Sequence, residues 1–509
     1  MTVNSKRWSV VSGQWAASSI QKAFLITGYC FLSTFLFIGC QPEPGAVPLA
    51  VSGTPAGEAE ELLATPMPER PKYQPGELVD YLAQTGDTIP VLAIRFNTTV
   101  EEILEANTFI PSEATTLPPG MPMQVPIYYK SFWGTPFKIL PDSLYVNGPA
   151  QVDFDTQAFV DQHPGWLRDY RNYVAGARRT GAGIIDYVAQ NFSISPRLLL
   201  ALLEYQTGAL TKPSIPAEVD EYYPLGQTQR KYRGLYLQLV WAANTLNNGY
   251  YGWRTGNLTT IQIPGGTIEH PDPWQTAASV AFQYYFSVGY SGNDFQVDIG
   301  PEGVAQVYKG LFGNPWAEVQ THIPGSLQQP EMYLPFEGGK TWAYTGGPHT
   351  GWGTGEPWSA IDFAPSGVRG CGSTNEWATA MMSGVVTRSE SGIVEIDADG
   401  DGDPRTGWTI FYLHIASYQR APLGTEIEVG DKIGHPSCEG GTSTGTHIHI
   451  ARKYNGEWIA AEGPLGFDLE GWLVHNGDKP YQGTMTRFSS TVIANVNASF
   501  ESYITASER

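Results

Sequence analysis

Hydrophobic residues recur at helical spacing in the middle of the chain and form short strand-like runs towards its C-terminal end. Between about residues 157 and 316, four segments have the helical spacing: Ile184 to Asn191, Pro196 to Tyr205, Tyr232 to Leu246 and Gln275 to Phe286. After residue 340, apolar runs such as Ile410 to Ile415 are typical of strands. The pattern therefore predicts a multidomain protein with a mainly α middle domain, at about residues 150–320, and a β-rich C-terminal domain.

A third, smaller unit is predicted between about Leu78 and Tyr128, where the pattern is that of a small α/β module. Its helices are expected near Ile89 to Arg95 and near Val100 to Ala106. Thr98 or Thr99 can cap the second helix, because acidic residues follow in the first turn, where the helix dipole favours negative charge.

The N-terminal 40 residues have the pattern of a secretory leader, with basic residues before an apolar run from Ala23 to Ile38. The sequence Phe37-Ile38-Gly39-Cys40 resembles the bacterial lipobox, which implies a lipid attached to Cys40. The alternative is an uncleaved anchor, since the run approaches the ~17–20 residues that span a bilayer. Residues 41–77 predict a flexible linker. We therefore expect the folded modules in the cell envelope, outside the cytoplasm, either membrane-anchored or secreted.

Length and charge limit the partners. The 509 residues suggest three or four domains at roughly 100–200 residues each. The chain has 30 basic and 50 acidic residues, a net charge of −20, which disfavours nucleic acid because its binding needs Lys and Arg to neutralise phosphates. Neutral glycans and cationic peptides remain compatible partners.

Six of the nine histidines lie after residue 340. His447 and His449 are one residue apart on a predicted strand, so they share a face. His349, Asp362 and His414 lie upstream. A hydrolytic zinc ion needs about three His, Asp or Glu ligands and an open position for water. The residues alone leave open which histidines bind the metal and which move protons.

The region from about Tyr333 to Gln482 resembles the lysostaphin/LytM-type zinc endopeptidases. That family has a His-to-Asp pair, a lone histidine after Tyr-x and a terminal His-x-His, all present here in that order. The resemblance implies a mainly antiparallel β metallopeptidase domain, placed at residues 333–485 and followed by an extension at 486–509. It also implies zinc as cofactor and peptidoglycan peptides as substrate.

The same resemblance implies a role for each residue. His349, Asp362 and His449 would bind the metal, and His414 and His447 would lie beside the water and the scissile carbonyl. His447 would be the general base and His414 would stabilise the charged intermediate or shuttle the proton, although the two roles are exchangeable. An insertion containing several glycines separates His349 from Asp362 and is expected to loop out.

Residues 78–128 resemble the LysM glycan-binding module. The matching elements are Gly86-Asp87-Thr88, Ile103-x-x-x-Asn107 and Leu117-Pro118-Pro119-Gly120 followed by Val125-Pro126. The resemblance makes Asp87, Thr88 and the loop from Asn107 to Pro111 candidate sugar contacts.

In the middle domain, SISPRLLLALLEYQTGAL resembles the lysozyme-like lytic transglycosylases, in which a helix ends in a catalytic Glu-Ser-Gly. Gln206 stands here in place of that glutamate, and an amide cannot protonate a glycosidic oxygen. Glu204, two residues earlier, would point about 200° away. A degenerate, glycan-holding domain is therefore expected.

Two further features bear on metals and disulfides. Cys371 and Cys438 predict an internal disulfide, with zinc ligation as the alternative. Asp397, Asp399, Asp401 and Asp403 alternate as in a calcium loop but lack an acidic residue at the twelfth position, so a solvated hairpin is the favoured interpretation and a Ca²⁺ site is the alternative. His435 and His475 are expected to be structural or surface residues.

Together these features predict a zinc metalloendopeptidase that hydrolyses peptide bonds of peptidoglycan and is held on glycan by its LysM module. The alternative is a non-catalytic peptidoglycan-binding or hydrolase-activating protein.

Overall fold

The computed structural model describes residues 73–128, 133–289, 294–317 and 319–508. The leader, Cys40 and nearly all of the linker lie outside these residues. Residues 73–508 belong to a single compact unit, so the three predicted modules pack on one another. Among the described residues, no helix has both the length and the apolar character needed to cross a bilayer.

The small α/β module is present as predicted. Its two strands pair antiparallel, with Glu77 opposite Ile127. Thr99 begins the second helix through a capping box, because its side chain accepts from Glu102 N and the Glu102 side chain accepts from Thr99 N. The elements are β1 (Glu77–Leu82), α1 (Ile89–Phe96), α2 (Val100–Ala106) and β2 (Pro122–Ile127).

The middle region is mainly helical, and all four predicted helices form. The longest, α6, runs well beyond its predicted end at Leu246. Residues 139–146 also pack into the helical core, so this region begins before residue 150. Its elements are α3 (Thr156–Asp161), β3 (Arg171–Val174), β4 (Ala177–Thr180), α4 (Gly181–Phe192), α5 (Pro196–Thr207), α6 (Leu235–Thr255), β5 (Ile261–Gln262), β6 (Ile268–Glu269), α7 (Ala277–Val288), α8 (Phe295–Asp298) and α9 (Val304–Phe312).

The C-terminal region is antiparallel β. Its strands are β7 (Thr341–Thr350), β8 (Trp358–Pro365), β9 (Ala378–Thr379), β10 (Gly384–Glu390), β11 (Ile393–Asp397), β12 (Trp408–Leu413), β13 (Glu426–Ile427), β14 (Lys432–Gly434), β15 (Ile448–Tyr454), β16 (Glu457–Trp458), β17 (Asp468–Leu469), β18 (Trp472–Asn476), β19 (Gly483–Arg487), β20 (Ser490–Ile493) and β21 (Tyr503–Thr505). The main sheet has the order β13-β10-β11-β12-β15-β8-β7-β21, with β16 paired to β15. A smaller sheet has the order β17-β18-β19-β20, so the predicted boundary at residue 485 falls inside β19.

The two faces of the main sheet belong to different cores. Side chains such as Ile448 and Ile450 point into the core of the C-terminal region itself. Their neighbours on the opposite face, including Phe411 and Ala451, pack into the core of the helical region. Because strand side chains alternate, His447 and His449 lie on the face that the helical region covers.

Candidate metal centre

Three of the predicted residues meet on neighbouring strands. In the sheet register, β15 places His449 opposite Asp362 of β8, and β7 is the next strand, with His349 opposite Ala360. His349 Nε2 lies 3.0 Å from His449 Nδ1 and 3.4 Å from Asp362 Oδ1. His449 Nδ1 lies 3.3 Å from the same oxygen. The three side chains are buried, and their facing atoms lie within 4.8 Å of one another.

In each of the four site histidines, one ring nitrogen is hydrogen-bonded to a backbone carbonyl. A carbonyl oxygen only accepts, so that nitrogen must hold the proton and the other one presents a lone pair. The pairs are His349 Nδ1 with Gly347 O (2.8 Å), His449 Nε2 with Gly351 O (3.0 Å), His414 Nδ1 with Glu439 O (2.9 Å) and His447 Nδ1 with Gly445 O (2.7 Å). This backbone support orients metal-binding histidines.

The converging atoms of the first three residues are therefore all acceptors. His349 Nε2, His449 Nδ1 and Asp362 Oδ1 face one another at 3.0–3.4 Å, and no N–H or O–H group of the described residues is in position to donate to that oxygen. Lone pairs so close repel unless a proton or cation lies between them. Two imidazoles and a carboxylate are a donor set that suits zinc.

The charges of these groups are coupled. Burial would raise the pKa of Asp362, but His349 and His447 beside it hold that pKa well below its usual range. Burial would lower the pKa of His349, and the Asp362 carboxylate more than offsets this and raises it. Burial lowers the pKa of His449. The site thus contains one firmly ionised carboxylate.

His414 and His447 lie beside this group, with ring centres 4.4 Å apart. His447 Nε2 is 3.9 Å from Asp362 Oδ2. Burial, with His447 as a further cause, lowers the pKa of His414 to about 4, so its ring is neutral at pH 7. His414 adopts a left-handed φ of 66°, and its carbonyl accepts from both Ser437 N and Ser437 Oγ. Two positioned imidazoles suited to proton transfer therefore face the carboxylate.

The insertion between His349 and Asp362 packs against the helical region. Asn244 Oδ1 of α6 accepts from Thr354 N, and Asn248 Oδ1 accepts from Glu356 N, both at 2.7 Å. Gly353 has a φ of 89°, and a Cβ there would lie 2.4 Å from Asn244 Oδ1, so glycine allows the close approach. The insertion thus leaves the two strands and packs on α6, which positions a segment whose Gly351 carbonyl also orients His449.

Tyr481 is a residue of this site that sequence reasoning missed. Its ring stacks on His349 with centres 4.0 Å apart. Two backbone hydrogen bonds join its peptide to the end of β7: Tyr481 N donates to Pro348 O and Gly347 N donates to Tyr481 O. Burial raises the pKa of its phenol. No motif or spacing links it to the histidines, so the sequence offered no signal for it.

Two family models and several known proteins match parts of this chain. A family described as "LasA, N-terminal domain" matches residues 138–325, and one described as "LysM domain" matches residues 81–126. Protease LasA of Pseudomonas aeruginosa strain UCBPP-PA14 is 27% identical over 341 residues, which are 64% of this chain and 75% of that protein. Beta-lytic metalloendopeptidase of Achromobacter lyticus is 29% identical over 168 residues, 31% of this chain and 42% of that protein.

The chain is similar in sequence to the LasA and beta-lytic metallopeptidases. The solved M23 metalloprotease pseudoalterin is 26% identical to it, with a TM-score of 0.29 over 33% of this chain and 96% of that one. The predicted metallopeptidase resemblance and the LysM module are confirmed. The lysozyme-like character of the middle region is not, because the matching family there is the LasA N-terminal domain.

In this chain, the two residues compared with the end of a transglycosylase helix form hydrogen bonds within the fold. Glu204 caps the end of α5, where its carboxylate accepts from Leu210 N at 2.7 Å and from Thr211 Oγ1 at 2.5 Å. Gln206 Oε1 accepts from the hydroxyl of Tyr285 at 3.0 Å.

Two of the expected LysM sugar contacts are also used internally. Asp87 is buried and accepts from Tyr81 at 2.6 Å, from Gln84 N at 2.7 Å and from Arg95 at 2.8 Å. The Asn107 side chain bonds to the backbone of Ile103 and Gln124. Neither polar group is available to a ligand.

The predictions for the two cysteines, the aspartate-rich loop and the two remaining histidines have different outcomes. Cys371 and Cys438 form the predicted disulfide, with Cα atoms 5.6 Å apart, which excludes them as zinc ligands. Asp397, Asp399 and Asp401 come together, but Asp403 does not join them, because its carboxylate pairs with Arg405 at 2.6 Å. His435 bonds to Glu376 O and Gln419 as a structural residue, and His475 is half-exposed beside Thr486.

Proposed function

We propose that this protein is a zinc metalloendopeptidase of the cell envelope that hydrolyses peptide bonds of peptidoglycan. The observation that supports it best is the convergence of three lone pairs, from His349, Asp362 and His449, with no proton donor between them. These three residues would hold the zinc ion. When bound, zinc would supply a Lewis acid that polarises a carbonyl and makes a water more acidic.

The remaining chemistry belongs to the two further histidines. His447 Nε2 has a free lone pair and a partly exposed ring, so it is the better placed proton acceptor. His414 is neutral at pH 7 and more deeply buried, so it would orient the substrate and receive the proton later for the leaving amine. Tyr481, stacked on His349, would hold that ring and line the substrate side of the site.

The substrate class rests on the LysM match and on the relatives. Residues 81–126 match a LysM domain, and the LasA and beta-lytic relatives are named as a protease and a metalloendopeptidase. A glycan-binding module joined to a peptidase suits a polymer that contains both sugars and peptides. The leader and Cys40 would place the protein outside the cytoplasm, attached to the membrane or secreted, and the middle region would help to hold the glycan.

Zinc content and peptide release from purified peptidoglycan test this proposal. The full-length protein should contain one zinc ion and release new free amines, and His449→Ala should abolish both. His475→Ala is the matched control, because this histidine lies in the same region away from the centre and should leave both unchanged. Zinc-free, inactive wild-type protein would instead favour a binding or hydrolase-activating role.

We also propose a calcium site at Asp397, Asp399 and Asp401. Their carboxylate oxygens lie within 4.8 Å of one another. Burial and the two neighbouring carboxylates raise the pKa of Asp397 to about 7, a repulsion that a hard cation would relieve. Added Ca²⁺ should raise the unfolding temperature of the wild type but not of Asp399→Asn, and equal shifts in both would refute the site.

A further inference from the structure

The helical region contains a cavity of about 550 Å³ between the start of α5 and the end of α9, which we call the α5–α9 cavity. Its volume falls within the ~300–1,000 Å³ that is usual for small-molecule sites. Aromatic and aliphatic side chains form most of its walls, and no acidic residue is among the described residues that line it. The proposed zinc-site residues and the small α/β module do not contribute to its lining. The cavity is therefore separate from the sites described above.

Arg197 is the basic side chain of the α5–α9 cavity. It lies in the first turn of α5 and is half-buried. Its Nη1 atom donates to Ala150 O at 2.7 Å, and its guanidinium lies over the ring of Phe154, 4.5 Å from the ring centre. Burial lowers the pKa of Arg197, but an arginine remains charged at pH 7. The two contacts thus hold a positive charge in the wall of the cavity.

No carboxylate neutralises this charge directly. Arg197 forms no ion pair within the part of the chain that the structure describes, and Asp153, which is exposed, acts on it only from a distance. The Nε and Nη2 atoms of Arg197 donate to no group of the described residues, and both are accessible. A half-buried charge is costly without a partner, and the guanidinium fork matches the two oxygens of a carboxylate. Arg197 is therefore suited to an external anion.

Tyr308 of α9 contributes a second unused polar group to the α5–α9 cavity. The residue is 3% exposed, and its hydroxyl has no hydrogen-bond partner within the described ranges. Burial raises the pKa of Tyr308 to about 12, although the nearby guanidinium of Arg197 opposes this rise. The phenol therefore keeps its proton at pH 7 and can donate to the same anion as Arg197.

The remaining lining indicates what the anion is attached to. A small inorganic ion would leave most of 550 Å³ unfilled and the apolar walls uncovered. Phe154 and Phe312, with ring centres 5.8 Å apart, form a wall that suits a small apolar side chain. Gln320, which is exposed, brings an amide that can both donate and accept, as a peptide group requires. A carboxylate, an apolar side chain and a peptide group occur together at the C-terminal end of a peptide.

We propose that the α5–α9 cavity binds the C-terminal carboxylate of a short apolar peptide, with Arg197 and Tyr308 donating to its oxygens. Hydrolysis of a peptide bond leaves a free carboxylate on one product, so the proposed peptidase reaction would supply ligands of this class. That connection rests on the proposed function, whereas the cavity itself depends neither on zinc nor on the reaction.

Isothermal titration of the full-length protein with N-acetyl-Ala-Ala, and with the same dipeptide as its C-terminal amide, tests the proposal. The acid should bind, and the amide should bind at least about tenfold more weakly. Arg197→Gln should weaken binding of the acid by about 10–100-fold, and Tyr308→Phe by about fivefold. Arg168→Gln is the matched control, because Arg168 is an exposed arginine of the same region that does not line the cavity, and it should leave affinity unchanged.

Two further variants extend the test. Circular dichroism shows whether each protein is folded, and Tyr308→Phe keeps the test valid if Arg197→Gln unfolds, since the lost hydroxyl bonds to nothing else among the described residues. Asp153→Asn should strengthen binding of the acid by about twofold, because it removes the negative charge that competes with the ligand for Arg197.

Four results would overturn the proposal: no binding of the acid by the wild type, equal affinity for the acid and the amide, equal losses in Arg168→Gln and Arg197→Gln, or inorganic phosphate binding as tightly as the acid. The last would make the cavity a general anion site. Zinc content and peptide release, measured on the same samples, report on the proposed function separately. An inactive protein with the predicted affinities would refute the peptidase and keep this site, and an active protein without them would do the reverse.

Discussion

The proposed metal centre and the LysM-like loop both contain a buried aspartate that the sequence suggested for function, yet the two differ. Asp362 faces two imidazole lone pairs with no donor between them, whereas Asp87 accepts from Tyr81, Gln84 N and Arg95. Burial is the same in both places, but only one carboxylate lacks donors. A buried carboxylate without hydrogen-bond donors requires a cation, whereas one whose oxygens accept hydrogen bonds is structural, so burial alone does not distinguish the two.

The largest effect is expected from Asp362→Ala. This change removes the charged member of the acceptor group, so zinc content should fall to background and peptide release by at least about a thousandfold. The fold should remain, because the aspartate makes no internal bond that the structure needs. Zinc content, peptide release and circular dichroism, measured on one sample, check this prediction. An unfolded variant would contradict it, because Asp362 would then be needed for the fold, as Asp87 is.

The next largest effect is expected on stability from Arg254→Met, which tests how strongly the LysM-like loop is held to the other regions. Arg254 joins Glu457 of the β region to Thr85 O of the loop. Leaving Glu457 buried without this partner should cost about 3–5 kcal/mol. Urea unfolding measures it, with Arg168→Met as control, because Arg168 is largely exposed and its pair with Asp169 contributes little.

The same ion pair predicts a pH dependence. Burial would raise the pKa of Glu457, but Arg254, with help from His322, lowers it from 4.5 to about 2. A carboxyl with a lowered pKa stabilises the fold above its unfolded pKa and loses that effect as the pH falls. Stability should therefore drop between about pH 4.5 and 2, by on the order of 3 kcal/mol from this group. Glu457→Gln should flatten that part of the curve, and an unchanged acid limb would contradict the assignment.

The smallest effect is expected from Asp87→Asn, which should lower the free energy of unfolding by about 2 kcal/mol through weaker bonds to Tyr81 and Arg95. Sugar affinity should be unchanged in titrations at a temperature where the variant is folded. A variant of normal stability that no longer binds sugar would return Asp87 to the binding residues and remove the contrast with Asp362.

The sequence predicted the metal centre better than the LysM-like loop for a physical reason. His447 and His449 share a face because strand side chains alternate, and antiparallel register places Asp362 beside His449, so local pattern and family order sufficed. The role of a loop residue depends instead on what packs against it. Residues 323–327, Arg254 and Glu457 are distant in sequence from Thr85, and nothing local indicates that they meet.

Contacts between residues distant in sequence also account for the other features that the sequence did not predict. The helices of the middle region could be predicted from apolar spacing, but the packing of α6 against the insertion at Thr354 and Glu356 could not, because it joins residues about 110 positions apart. The disulfide followed from having only two cysteines outside the leader. Tyr481 reaches His349 through backbone pairing that the sequence does not reveal.

The last strand matters for anyone who produces fragments of this protein. Residues Tyr503–Thr505 pair with Thr341–Ala343 at the start of the strand that ends in His349. A fragment stopped near residue 485 would break the β18-β19-β20 sheet and bare the backbone of β7, an exposed edge at which chains associate and aggregate. Expression trials should therefore retain residues 486–508 and place affinity tags elsewhere.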